Sequence, residues 1–299
     1  MRTGIKGMRR AVTATVTLTA GAVLAGGAFA GQAQAAAPPT PTIVAKGGYV
    51  MNNGTGASLF AKAADTRRST GSTTKIMTAK VVLSQKNLNL DSKVTIQKAY
   101  SDYIVDKGYV SSAKLIVGDK VTVRQLLYGL MLPSGCDAAY ALADKFGTGS
   151  TRAARVKSFI GKMNTAAKDL GLKNTHFDSF DGVGNGANYS TPRDLTKIAS
   201  SAMKNSTFRT VVKTRTTTQK VTTKTGGYRN MSWTNTNKLL GTYSGALGVK
   251  TGSGPEAKYC LVFAATRNNK TVIGTVLAST SEANRTADAK KLMDYGFKK

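Results

Sequence analysis

The sequence predicts a mixed α/β (α+β) protein with a mostly antiparallel sheet. Short, β-branched segments occur near both ends of the chain, whereas the middle consists mainly of segments with helical periodicity. No internal repeat or low-complexity linker separates these parts. Because strands at both ends enclose a helical middle, we expect one sheet assembled from the N- and C-terminal parts, with a helical insertion.

The N-terminal half begins with a hairpin signal and continues with helices. Apolar segments 49–51 and 58–61 flank Asn53-Gly54, a dipeptide that favours a tight turn. A helix is expected to start at Ser72, and a buried helix over 121–132 should end at Pro133. Further helices are predicted over three ranges: 137–146, 152–170 and 191–203.

From Thr207 onwards the pattern changes to β-branched and alternating residues. Three strands are predicted over 246–251, 258–265 and 271–277, with Asn268-Asn269 as the turn between the last two. A helix over 281–297 completes the prediction. The C-terminal part should therefore supply most of the sheet.

The first 35 residues indicate export. A basic start with Arg9 and Arg10 precedes a small, apolar stretch, and Ala33-Gln34-Ala35 resembles a cleavage site. We expect residues 1–35 to be a signal peptide, 36–45 a mobile lead-in and 46–299 a single functional domain. The protein should act outside the cytoplasm, in the cell wall or at the outer face of the membrane.

The chain is strongly basic, with a formal net charge of +28 over 299 residues. Such a charge suggests anionic surroundings. Since the export signal argues against nucleic acid, we expect anionic wall polymers as a partner and no nucleic acid. Two cysteines, Cys136 and Cys260, do not make a disulfide framework, and we expect free thiols.

Ser72 and Lys75 are the candidate catalytic pair. Three residues apart at the start of a helix, they share one face, so the amine can take the proton of the hydroxyl. The helix N-terminus adds partial positive charge beside an attacked carbonyl. Ser-x-x-Lys also occurs at Ser111 and Ser201, so the motif alone is weak evidence.

Two later motifs strengthen the hypothesis. Ser134-Gly135-Cys136 lies between two helices, where Ser134 can relay a proton to a leaving amine. Lys250-Thr251-Gly252 ends an apolar strand, where Lys250 can bind a substrate carboxylate and Gly252 can admit a substrate backbone. The order Ser-x-x-Lys, Ser-Gly-x, Lys-Thr-Gly is typical of serine acyl transfer. A second Lys-Thr-Gly at Lys224 has no apolar strand before it, so we interpret it as a hairpin turn.

These motifs resemble low-molecular-mass penicillin-binding proteins of the D-Ala-D-Ala carboxypeptidase family. The resemblance covers roughly residues 46–297 and includes the segments around Ser72, Ser134, Pro192 and Lys250. It implies a penicillin-binding-protein/β-lactamase-like fold, with a central antiparallel five-stranded sheet, flanking helices and an all-helical region carrying Ser134. It also implies an oxyanion hole from the backbone N–H groups of Ser72 and Ser253. We expect no C-terminal β-domain of the kind found in many relatives.

The function that the resemblance implies is a serine DD-peptidase without cofactor or metal. Such an enzyme forms an acyl-enzyme at the D-Ala-D-Ala bond of a peptidoglycan stem peptide and releases D-Ala. The acyl group then passes to an amine or to water, and β-lactam antibiotics inhibit covalently. We expect a monomer that binds substrate through Cys136, Lys250, Thr251 and Gly252.

One departure concerns the second motif. The family pattern has Asn where this chain has Cys136, and a thiol donates and accepts hydrogen bonds poorly. The Ser-Gly-Cys form resembles an actinomycete DD-transpeptidase branch, which favours a functional variant.

Two alternatives stay open at this point. A β-lactamase of the class with these motifs uses a Glu to activate water, but the chain has no Glu between Ser72 and Lys250; Asp178 or Asp181 would have to substitute. A non-catalytic, basic wall-binding protein on the same scaffold would show no covalent labelling by penicillin. A Ser/His/Asp triad would need the lone His176, for which we expect a structural role.

Overall fold

The computed structural model describes residues 38–184 and 186–299. The predicted signal peptide, 1–35, and the start of the lead-in lie outside the described residues. The strands are β1 (Gly47–Asn52), β2 (Ser58–Lys62), β3 (Lys93–Thr95), β4 (Lys120–Thr122), β5 (Thr216–Thr222), β6 (Tyr228–Thr234), β7 (Ala246–Gly254), β8 (Lys258–Arg267) and β9 (Lys270–Ser279). The helices are α1 (Lys75–Leu83), α2 (Lys98–Lys107), α3 (Val123–Met131), α4 (Cys136–Phe146), α5 (Arg152–Asp169), α6 (Pro192–Ala202), α7 (Ser206–Lys213) and α8 (Glu282–Lys298).

The main sheet has five antiparallel strands in the order β2-β1-β9-β8-β7. Strand β1 of the N-terminal hairpin therefore pairs with β9 from the C-terminal end, and one sheet forms from both ends of the chain, as the sequence predicted. In the register, Tyr49 faces Thr275 and Lys250 faces Val262. Strand β7 lies at one edge of the sheet, and its unpaired edge faces the segment that carries Ser72.

Apolar side chains cover both faces of this sheet. One core joins α1, α3, α4 and α6 to the sheet and includes Ile76, Leu126 and Val262. A second core lies under α8 and includes Phe263 and Leu292. Burial of apolar surface on both faces fixes the sheet rigidly between helices and so fixes the position of β7.

The structure corrects the prediction in three places. Val121 belongs to β4, and Thr122 caps α3 by accepting a hydrogen bond from the backbone N–H of Gln125, so the helix predicted over 121–132 starts two residues later. The region after Thr207 opens with α7 rather than a strand. The sequence analysis also did not predict α2 or the second, four-stranded sheet, whose strand order is β3-β4-β5-β6.

Other predictions are confirmed. Lys224 lies in the turn between β5 and β6, so the second Lys-Thr-Gly is a hairpin turn. His176 exchanges two backbone hydrogen bonds with Tyr189, which is a structural role. Both thiols are free and buried.

Among the helices of the described ranges, none is long and apolar enough to cross a membrane.

Candidate active site

Ser72 lies in a 3₁₀ turn (Gly71–Thr74) that runs directly into α1. Asn188 fixes this turn, because its side-chain amide donates to the hydroxyls of Thr70 (2.7 Å) and Thr74 (3.0 Å). Gly71 has a φ of +49°, and a Cβ there would lie 3.0 Å from the carbonyl oxygen of Ser253. The turn therefore needs glycine both for its conformation and for its contact with β7.

Lys75 is fully buried and directed at Ser72. Its side-chain nitrogen lies 2.8 Å from Ser72 Oγ, 3.0 Å from the backbone oxygen of Asp181 and 3.3 Å from Cys136 Sγ. A neutral lysine amine has two N–H donors and one lone pair, so it can donate to Asp181 and Cys136 and still accept the proton of Ser72. The predicted Ser72–Lys75 pair is thus in hydrogen-bonding contact, and two further groups hold the amine in place.

Ser134, in the loop before α4, and Cys136, the first residue of α4, line the same cavity as Ser72. Ser134 has a φ of +67° and is 5% exposed, and its hydroxyl has no hydrogen-bond partner among the described residues. Burial raises the pKa of the Cys136 thiol to about 12, although the nearby charge of Lys75 acts in the opposite direction. The thiol is therefore protonated at neutral pH and serves as a hydrogen-bond partner of Lys75.

Strand β7 forms the opposite wall. Lys250 is buried on it and donates to the backbone oxygen of Thr251 at 3.0 Å. Burial lowers the pKa of Lys250 well below its usual value, and the charges of Lys75 and Arg285 lower it further. Thr251, Gly252 and the exposed Ser253 continue along this edge strand towards the 3₁₀ turn.

Gly252 is needed for the packing of β7 against the turn that carries Ser72. A Cβ at this position would lie 2.8 Å from the carbonyl oxygen of Thr70 and 3.0 Å from the backbone nitrogen of Thr73. The absence of a side chain lets β7 lie directly against the turn that carries Ser72. Gly252 therefore sets the spacing between the two walls of the site.

These residues line one cavity with a volume of about 340 Å³. Its lining includes Ser72, Ser134, Cys136, Thr251, Gly252 and Ser253. The buried Lys75 and Lys250 stand behind this lining, in contact with Ser72 and Thr251 respectively. The structure thus brings together every predicted site residue. No group of three or more metal-ligating side chains occurs in residues 38–184 and 186–299.

Arg285 escaped the sequence analysis, and Asp181 was considered there only as a substitute for the Glu of a β-lactamase. Arg285, from α8, lines the same cavity, is 5% exposed and donates to the backbone oxygen of Gly252 at 3.1 Å. Asp181 is fully buried, and its carboxylate accepts hydrogen bonds from Tyr103 and from the backbone N–H of Val183, both at 2.9 Å. That carboxylate is thereby engaged, while its backbone carbonyl holds Lys75.

Comparisons with known proteins agree with this geometry. The family model described as D-alanyl-D-alanine carboxypeptidase matches residues 32–281. A D-alanyl-D-alanine carboxypeptidase of Streptomyces sp. (strain K15) is 75% identical over 291 residues, which cover 97% of this chain and 99% of the relative. The DacF carboxypeptidase of Bacillus subtilis (strain 168) is 32% identical over 265 residues, but the match covers only 62% of its length.

A solved structure extends the agreement to three dimensions. The crystal structure of the Streptomyces K15 DD-transpeptidase superposes with a TM-score of 0.86 at 80% identity, covering 87% of this chain and 99% of that one.

The fold and the Ser-Lys site define a serine acyltransferase of the penicillin-recognising type. By sequence and by fold, the chain belongs to the D-alanyl-D-alanine carboxypeptidase family. It is therefore a serine-type D-Ala-D-Ala peptidase, not a β-lactamase or a scaffold without activity.

Proposed function

We propose that Ser72 is the nucleophile of this DD-peptidase and that Lys75 is its base. The contact of 2.8 Å between Lys75 Nζ and Ser72 Oγ carries the proposal. Proton transfer needs such a contact, and burial of the lysine keeps water away from the amine. The backbone carbonyl of Asp181 and the thiol of Cys136 orient the same amine.

The reaction follows from this arrangement. Ser72 Oγ attacks the carbonyl carbon of the penultimate D-Ala of a peptidoglycan stem peptide, and its proton passes to Lys75. The backbone N–H groups of Ser72 and Ser253 stabilise the oxyanion. The bond to the terminal D-Ala breaks, and the hydroxyl of Ser134 relays the proton to the leaving nitrogen. An amine or water then takes the acyl group from Ser72.

The terminal carboxylate of the substrate is bound at β7. Thr251 and Arg285 line the cavity there, and Lys250 lies directly behind Thr251. Arg285 keeps its positive charge at any physiological pH, whereas burial favours the neutral form of Lys250. We assign the carboxylate to Arg285 and Thr251, with Lys250 taking up a proton when the anion arrives. Gly252 and Cys136 position the walls and the base.

The relatives support transfer to an amine besides hydrolysis, since one of them is named a DD-transpeptidase. The setting is the cell wall or the outer face of the membrane, after removal of the export signal. We propose that the enzyme works as a monomer and uses its positive charge to stay near anionic wall polymers.

Benzylpenicillin tests the proposal directly. We expect intact-mass measurement to show one stable penicillin adduct on the mature protein and none on Ser72→Ala. Ser201→Ala is the matched control, because Ser201 begins another Ser-x-x-Lys sequence, at the end of α6. Release of D-Ala from a stem-peptide analogue, with and without an added amine, then measures transfer against hydrolysis.

Each alternative outcome has a distinct meaning. An adduct that persists in Ser72→Ala would place the nucleophile elsewhere. Penicillin consumed without a stable adduct would indicate β-lactamase activity. The structure argues against rapid hydrolysis of the adduct, because the carboxylate of Asp181 is already occupied by Tyr103 and the N–H of Val183.

A further inference from the structure

A second cavity lies beside the active site. It has a volume of about 150 Å³ and shares three lining residues, Tyr109, Val183 and Ser253, with the active-site cavity. The two cavities are therefore adjacent and share part of one wall. Thr251 and Arg285, to which we assign the terminal carboxylate, line only the first cavity. The second cavity is thus placed to receive another part of a bound peptide.

Glu256 gives this cavity a negative charge. It is the only charged residue among the described residues that line the second cavity, and it lies in the connection between β7 and β8. Its side chain is exposed and forms no ion pair with any residue of the described ranges. Glu282, at the first cavity, is instead paired with Arg285 at 3.4 Å. The carboxylate of Glu256 is therefore free to meet a ligand.

The composition of the chain makes this carboxylate unusual. Only two Glu occur in 299 residues, and the formal net charge is +28. A cationic ligand is repelled by most of such a surface, and a free carboxylate next to the active-site cavity creates a local exception. Glu256 repels an anionic ligand group, and a neutral donor gains a weaker hydrogen bond from it than a cation does. A cationic group of a peptide is the chemistry that fits.

We propose that the second cavity binds an ammonium group of a peptide substrate and that Glu256 is a specificity-determining residue. This inference rests on the proposed function. The ammonium group has two sources in a DD-peptidase reaction. It is either the side-chain amine of the residue that precedes D-Ala-D-Ala in the donor, or the amine of the acceptor peptide before it loses its proton.

Two donor peptides that differ in a single charge test the first source. We would compare kcat/KM for D-Ala release from Nα-acetyl-L-Lys-D-Ala-D-Ala with that from the same peptide acetylated on both amines. The wild type should prefer the free amine, and Glu256→Gln should reduce this preference about fivefold, the value of one exposed charge pair at close range. Added salt should reduce the preference in the wild type but not in the variant.

The doubly acetylated donor with an added amine acceptor tests the second source. If the acceptor occupies the cavity, Glu256→Gln should lower the ratio of transfer to hydrolysis and leave the preference between donors unchanged. Asp169→Asn is the matched control, because it removes an exposed carboxylate at the end of α5. It should leave both ratios at their wild-type values.

Unchanged ratios in Glu256→Gln, for donor and acceptor alike, would overturn the inference. Failure of the proposed function looks different, since the wild type would then release no D-Ala from either donor. In that case equilibrium binding of the two donor peptides to Ser72→Ala still decides the matter. Equal affinities for the free and the acetylated donor, together with an acceptor amine that binds equally to Ser72→Ala and to Ser72→Ala with Glu256→Gln, would refute an ammonium site.

Discussion

At the scale of a single residue, the surroundings of the Ser134 hydroxyl predict how Ser134→Ala affects stability and activity. The hydroxyl is buried beside the Ser72–Lys75 pair but has no partner within the described part of the chain, so its removal leaves no other group unsatisfied. Ser134→Ala should therefore change the free energy of unfolding by less than about 0.5 kcal/mol. D-Ala release should fall by a factor of about 10² to 10⁴, as expected for a lost proton relay.

The two measurements together isolate the role of Ser134. Urea unfolding gives the stability, and single-turnover release of D-Ala gives the rate. Loss of stability with an unchanged rate would assign Ser134 to structure instead of proton transfer. Ser112→Ala offers a contrast, because the hydroxyl of Ser112 donates to Asp137 at 2.7 Å and its loss should cost stability.

Burial lowers the pKa of Lys250, and this shift predicts how folding stability depends on pH. Between that lowered pKa and the usual value of 10.5, the unfolded chain binds a proton that the folded chain does not. Folding stability attributable to Lys250 should thus rise with pH in this window, by at most about 1.4 kcal/mol per pH unit. Below the window the folded protein carries the cost of a buried charge.

The variant Lys250→Met removes this titration without removing the aliphatic chain. The difference in unfolding free energy between Lys250→Met and the wild type should therefore shrink as the pH rises through the window. Urea unfolding at several alkaline pH values measures that difference. A difference that is constant with pH would show that Lys250 keeps its proton in the folded state.

Single residues also show the limits of sequence reasoning. Sequence motifs could predict that Ser72, Lys75, Ser134 and Lys250 lie together, because the chemistry of these residues belongs to their side chains. The carbonyl of Asp181 could not, since a backbone oxygen has no signature in sequence. Arg285 lies 33 residues beyond Gly252 on another element, and only the packing of α8 against the sheet brings it to the site.

At the scale of elements, the spacing between β7 and the 3₁₀ turn depends on Gly252. A Cβ there would overlap the backbone of the turn at 2.8 Å from Thr70. Gly252→Ala should lower the free energy of unfolding by about 1–3 kcal/mol, the usual cost of overpacking. Because the displaced turn carries Ser72, acylation by benzylpenicillin should also slow.

Gly254, two residues further along β7, is the matched control. A Cβ at Gly254 would meet no atom within 4 Å, so Gly254→Ala should alter stability by no more than about 0.5 kcal/mol. Thermal unfolding and the rate of adduct formation measure both variants. Equal stability of the two would mean that β7 does not press on the turn.

Elements could be predicted where local signals agree with tertiary packing. Strands β8 and β9 consist largely of consecutive apolar or β-branched residues and flank the Asn268-Asn269 turn, and they formed as expected. Helix α7 was missed because threonine and valine favour strands on average. Its decisive features are Asn205, whose side chain caps the helix, and a buried face with Phe208 and Val211. The small second sheet depends on pairings between distant segments, which periodicity does not reveal.

At the scale of the whole molecule, we expect the positive charge to hold the enzyme near anionic surroundings. Only four positive charges lie in the first 35 residues, so removal of the proposed export signal would leave most of the net charge of +28. Retention at a wall rich in anionic polymers should follow from long-range attraction and should not require the active site. The Debye length falls from about 30 Å at 0.01 M salt to about 3 Å at 1 M, so binding should weaken steeply across this range.

Sedimentation of the mature protein with purified cell walls measures this retention. Ser72→Ala should bind as well as the wild type, because the nucleophile contributes no charge. Walls stripped of their anionic polymers should bind much less at low salt, whereas release of D-Ala from a small soluble donor should be unaffected by the stripped material. Retention that resists both salt and stripping would show that the enzyme is held by its substrate peptides, and the surface charge would then need another explanation.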